Sequence, residues 1–190
     1  MFKKLLPLLT IIVFCTAFSI PEKIAKKAAK VIGKFYEIKD FDKELILIDE
    51  VSNAETPSEF RDENFFRILN NGKFLGYGYI GKAPAKTTDF DFLVLFDKDF
   101  IITKSKVLIY REEYGGEIGS KRWLKQFIGA GTTSKELKYN RDIIPISGAT
   151  ISVQSMTRAM NDLLKTIAVL QKNPCYNGIT RSITKVSEAY

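Results

Sequence analysis

Histidine is absent from the 190-residue chain. That removes the Ser-His-Asp triad, the usual general base and most zinc sites. Cysteine is scarce, with only Cys15 and Cys175. Cys15 falls in an apolar leader, which leaves Cys175 alone. One cysteine makes no intramolecular disulfide and holds no iron–sulfur cluster. Redox chemistry in such a chain must come from a bound organic cofactor. Long basic runs are also missing, so the formal net charge of +7 is spread along the sequence. With Lys3 and Lys4 of the leader set apart, it falls to about +5. This argues against nucleic acid as a partner and is compatible with a weak attraction to anionic lipid headgroups.

What is present supports a folded body. Hydrophobic residues make up 45% and aromatics 12%, enough for a core without disulfides. Charged residues at 27% argue against repeated membrane crossings. Residues 1–19 read MFKKLLPLLTIIVFCTAFS. Two lysines, an apolar stretch from Leu5 to Phe14 and the small-x-small Ala17-Phe18-Ser19 predict a signal peptide. A short uncleaved anchor is the alternative. Phe14 ahead of Cys15 argues against lipidation. Either reading puts the body outside the cytoplasm, in the periplasm or on the extracytoplasmic face of the membrane.

The expected fold class is α+β, an antiparallel sheet built from hairpins and flanked by about three helices. Apolar residues Ile24, Ala28, Val31, Ile32 and Phe35 have helical spacing behind Pro21, with Gly33 near the end. Lysines 23, 26, 27 and 30 read as its solvated face. Glu44–Asp49 reads as a strand and residues 50–64 as a loop. FFRIL and KFLGYGYIG flank Asn70-Asn71-Gly72, a hairpin signal. After a loop at 83–88, Phe90, Phe92, Val94 and Phe96 alternate into a second hairpin that turns at Asp97-Lys98-Asp99. Gly115, Gly116 and Gly119 make a glycine loop, and Ser120 caps a helix burying Trp123, Leu124 and Phe127. A polar connection over 132–146 ends at Pro145. Val153, Met156, Met160, Leu163, Leu164, Ile167 and Leu170 then form a long helix, stopped by Asn173-Pro174. The expected organisation is 1–19 leader, 20–59 N-terminal helix and strand, 60–171 main domain and 172–190 tail.

The long helix opens on Ser147-Gly148-Ala149-Thr150. Free N–H groups and the positive end of the helix dipole favour an anion there, phosphate above all. A plain cap needs one hydroxyl, and this stretch has two. Ser147 or Thr150 serves as that cap, which leaves the other hydroxyl in surplus.

SGATIS followed by a helix resembles the flavinylation motif of the FMN-binding domain family. That family includes the covalent-flavin subunits of sodium-translocating NADH:quinone reductase and of ferredoxin:NAD oxidoreductase complexes. GKFLGYGYIG and EEYGGEIGSKRWLKQF resemble further segments of it, in the same order, over roughly residues 60–171. The resemblance implies FMN joined by a phosphoester to Thr150, installed by a flavin transferase, with Ser147, Gly148 and Ala149 shaping the approach. On that resemblance alone, Ser147 becomes the expected cap. It implies a flavin lining from Glu113, Tyr114, Gly115, Gly116, Glu117 and Gly119. Trp123 and Tyr77 are candidates for stacking on the flavin ring or for ordinary core packing. Two departures stand out. Ile144 occupies a position where the family often has aspartate, and Tyr114 and Glu117 are additions to the glycine loop. No catalytic acid or base and no metal ligand is expected. The implied role is electron transfer with membrane or extracytoplasmic partners. Alternatives are a noncovalent FMN-binding sensory or regulatory module, a non-redox structural protein on the same fold, and a hydrolase built on a Ser-Lys pair.

Overall fold

A computed structural model describes residues 20–48, 50–58, 60, 63–172 and 183–187. The expected leader, Cys175 and the Asn173-Pro174 stop lie outside these residues. Among the described residues, no helix is long and apolar enough to cross a membrane.

Helix α1 (Glu22–Tyr36) is followed by β1 (Asp40–Leu45), the short α2 (Glu50–Ala54), β2 (Phe65–Asn70) and β3 (Lys73–Ala83). Then come β4 (Phe90–Phe96), β5 (Ile102–Ile109), α3 (Lys121–Leu124), α4 (Thr150–Lys172) and β6 (Ile183–Ser187). The strands form one sheet in the order β5-β4-β3-β2-β1-β6, antiparallel at every pairing. The α+β expectation holds. Strand β1 from the N-terminal segment and β6 from the tail extend the sheet begun by the two hairpins.

Both hairpins form where the turn residues require them. Asn71 and Gly72 take φ of 50° and 76° between β2 and β3. Two consecutive positive φ values match the right-handed twist of the flanking strands. In the β4–β5 turn, Asp97 Oδ1 accepts from the amides of Asp99 and Ile101, both at 2.9 Å.

Period-two alternation divides β4 between two cores. Phe90, Phe92, Val94 and Phe96 face α4, and Leu93 and Leu95 face α1. Every β4 residue is buried. The α4 face is largely aromatic, with Phe65, Phe127 and Trp123 packed against Val153, Met156 and Met160. The α1 face is mostly aliphatic, closed by Ile24, Ala28 and Ile32.

Two expectations shift. The first strand runs over Asp40–Leu45 and not Glu44–Asp49. Phe41 anchors it in the α1 core, and both of its neighbours pair along 40–45. Ile46 still donates to the Phe65 carbonyl at 3.0 Å, but Leu47 turns to solvent. The expected loop at 50–64 contains the one-turn α2, where the Asn53 side chain bonds both the amide and the carbonyl of Phe60.

Candidate functional site

Thr150 opens α4, and the first ladder bond of the helix runs from the Val153 amide to the Ala149 carbonyl at 2.9 Å. The amides of Thr150, Ile151 and Ser152 therefore precede the ladder. Gly148 turns the chain into the helix with φ of 74°. A side chain there would be strained, which accounts for glycine at this position. That turn leaves Ala149 in the capping position and carries Ser147 off the helix end. Ser147 is exposed, and neither its hydroxyl nor that of Thr150 hydrogen-bonds another described residue. The expected Ser147 cap does not form.

The glycine loop lies against this stretch. Gly115 has φ of 77°, and a Cβ built on it would fall 2.3 Å from the Ala149 Cβ. A Cβ on Gly148 would meet Tyr114 at 3.7 Å. Segments more than thirty residues apart thus touch at the two small residues ahead of Thr150. Gly116 and Gly119 have open space around them. Glu113 and Glu117 are exposed, and Tyr114 is 74% exposed.

Two clefts flank the 144–150 stretch. One, of about 360 Å³, holds Thr150 with Gly148, Ala149, Ile151 and Ser152 on one wall and Lys86, Tyr110, Glu112 and Tyr114 on the other. The Tyr110 hydroxyl and Ser152 Oγ lie 3.1 Å apart across it. The loop carrying Lys86 is tied down on both sides. Glu112 accepts from the Thr87 amide at 2.7 Å, the Thr87 hydroxyl at 2.9 Å and the Thr88 amide at 3.2 Å. Those bonds, led by the Thr87 amide, hold the Glu112 carboxyl below its ordinary range. Ser155 Oγ donates to the Pro84 carbonyl at 2.5 Å.

The second cleft, of about 530 Å³, is lined by Glu117, Ser120, Arg122, Trp123 and Gln126 opposite Ile144–Ser147. Ser120 caps α3 as expected, accepting from the Trp123 amide at 3.2 Å. Trp123 is 5% exposed and packs edge-on to Phe127. Its Nε1 donates to the Ile144 carbonyl at 2.8 Å, and the Ile144 amide donates to Gln126 Oε1 at 2.7 Å. The Ile144 peptide is thereby gripped at both ends, while its side chain is 67% exposed at the cleft.

The structure gathers Thr150, Ser147, Gly148, Ala149, Tyr114, Glu117 and Trp123 along these clefts, with Gly115 packed behind them. Glu113, Gly116 and Gly119 belong to the same loop but line neither cleft. Tyr77 is elsewhere. It stacks on Phe100 with ring centroids 4.2 Å apart and is not part of either cleft. The sequence reading missed Lys86, Tyr110, Glu112, Arg122 and Gln126. Gln126 alone carried a signal, three residues after Trp123 and so on the same helical side.

An FMN group fits this arrangement. A phosphate needs donors and positive charge, which the α4 end and Lys86 supply. A flavin ring needs a partly apolar slot with a few polar groups, and the Trp123 cleft has that character. Among the described residues, no group of three potential metal ligands occurs.

Comparison with known families matches residues 86–165 to the model described as the FMN-binding domain. The match begins at Lys86 and ends within α4, a shorter span than the 60–171 of the resemblance. No curated protein matches the chain.

Proposed function

Residues 86–165 belong to the FMN-binding domain family, and on that premise we propose that the protein is an extracytoplasmic electron carrier with FMN esterified to Thr150. The observation that carries the reading is the exposed Thr150 hydroxyl at the N-terminus of a 23-residue helix, in a cleft with Lys86 and beside the Gly115–Ala149 contact. Attachment would form a bond from Thr150 Oγ to the flavin phosphorus as the phosphoanhydride bond of the donor breaks. The hydroxyl proton leaves with the nucleotide half of a flavin dinucleotide donor, and a flavin transferase brings the two together. Lys86 and the α4 amides would balance the phosphate charge. Arg122, Trp123, Gln126 and Ile144 would hold the ring. Bound FMN supplies one- and two-electron transfer, and the protein supplies position and electrostatics. The tether keeps the cofactor with the protein outside the cytoplasm, next to membrane or extracytoplasmic redox partners.

The test is coexpression with a flavin transferase followed by denaturation. The expected result is flavin absorbance that stays with the unfolded chain and an FMN-sized mass increase on the peptide containing Thr150. Thr150→Ala should lose both. Flavin that is bound but released on denaturation would replace the covalent reading with a noncovalent module.

A further inference from the structure

The lysines that look dispersed in sequence converge at one edge of the sheet. Lys104 and Lys106 lie on β5, the edge strand, two residues apart and so on one side of it. Helix α1 packs along β5, where Lys27 Nζ donates to the Leu108 carbonyl at 3.1 Å. Its last turn contributes Lys34. On the other side, α3 and the turn after it pack on β5, with Ser105 Oγ bonded to the Leu124 carbonyl at 3.0 Å. They contribute Lys121 and Lys125. Lys106 reaches around the edge to the Gly119 carbonyl at 3.4 Å. Partial burial first, and then the field of the other four, lowers the Lys104 ammonium below the ordinary lysine range.

None of these five forms an ion pair among the described residues, whereas Lys26, Lys43, Lys98 and Lys165 each have a carboxylate within 4 Å. Lysines on an edge strand commonly block strand addition. That role accounts for Lys104 and Lys106 but not for Lys34, Lys121 and Lys125, which lie on helical segments. Phe35 and Ile128, which follow Lys34 and Lys125 on the same segments, are exposed. A group of lysines without carboxylate partners, on segments that also expose apolar side chains, suits an anionic bilayer surface, where headgroups meet the ammonium groups and the apolar residues enter the interface. We propose that Lys34, Lys104, Lys106, Lys121 and Lys125 form a surface that seats the protein on anionic lipid. Lys121 and Lys125 flank Arg122 and Trp123, so the patch adjoins the larger cleft.

The experiment is lysine acetylation footprinting of the full chain, alone and with vesicles of phosphatidylcholine with or without 30% phosphatidylglycerol (about one lipid in three, enough for a marked surface potential). Lys3 and Lys4 of the leader also favour anionic vesicles, so the readout is protection at the individual lysines of the folded body and not total binding. The expected result is protection of the five lysines only on the phosphatidylglycerol vesicles, reversed by salt, while Lys73 and Lys165 stay reactive. The triple variant Lys104→Glu/Lys121→Glu/Lys125→Glu should weaken that binding by roughly 100-fold or more and keep its far-ultraviolet circular dichroism. Equal reactivity on both vesicle types overturns the proposal. So does protection that needs added envelope proteins and not lipid, which would mark a protein-docking face instead.

Discussion

The two faces of the sheet solve different problems. On the α1 side, aliphatic residues meet a helix with regular spacing, and the helix ends cleanly where Glu37 turns left-handed and its amide bonds the Gly33 carbonyl. On the α4 side, the core is aromatic, and the chain around it holds left-handed glycines, two clefts and exposed Tyr114, Ile144 and Ile151. The first face has one task, which is burial. The second gives up regularity so that the end of α4 stays accessible. Stability and ligand handling should therefore separate when each face is perturbed.

The largest separation is expected from Ile32→Ala, which removes a residue 1% exposed in the α1 core. It should cost about 2–5 kcal/mol in urea unfolding, while the folded fraction keeps its full FMN content. Loss of flavin in step with stability would show that the faces are coupled. Gly115→Ala comes next. The added methyl meets Ala149 at 2.3 Å from a left-handed backbone. The cost should be about 1–3 kcal/mol, with a fall in flavin loading larger than the stability change explains. Normal loading would mean that the contact does not shape the site. Tyr36→Phe is the smallest. Burial first, and then the charge of Asp97, pushes the Tyr36 hydroxyl up to about 12. An ordinary tyrosine ionises near ~10, so the unfolded chain releases this proton before the folded one does. Tyr36 thus leaves stability untouched below about pH 10 and erodes it as pH climbs from about 10 to about 12. The variant should unfold with a flatter pH dependence in that window alone, read from urea midpoints. An unchanged slope would assign the alkaline loss to other groups.

What the sequence made legible was local. Asn71-Gly72 required a turn, Ser120 announced a cap, and the alternation of Phe90, Phe92, Val94 and Phe96 announced a strand of the second hairpin. The SGAT stretch was found because its hydroxyls exceed what a cap needs. The first strand was misplaced because Ile46, Leu47 and Ile48 are more apolar than the segment that pairs. That segment is selected by neighbours on both sides, which a single-sequence pattern does not contain. Tyr77 was grouped with the site because an aromatic near glycines suits a flavin equally well as a core. The folded chain stacks it on Phe100, a residue of the β4–β5 turn. Lys86 and Glu112 carry no local signal, since their meaning comes from a contact across 25 residues between Thr87 and Glu112. The lysine patch was invisible for the same reason. Along the chain these lysines are scattered, whereas the fold gathers them from α1, β5, α3 and the turn after α3.

Gly115 and Ala149 have room for one methyl between them, and Ala149 already supplies it. A methyl at position 115 would meet the one at 149, and the left-handed backbone at 115 would strain it as well. The loop therefore reaches the helix only with glycine on its own side, and the single methyl of Ala149 acts as the spacer between the two segments.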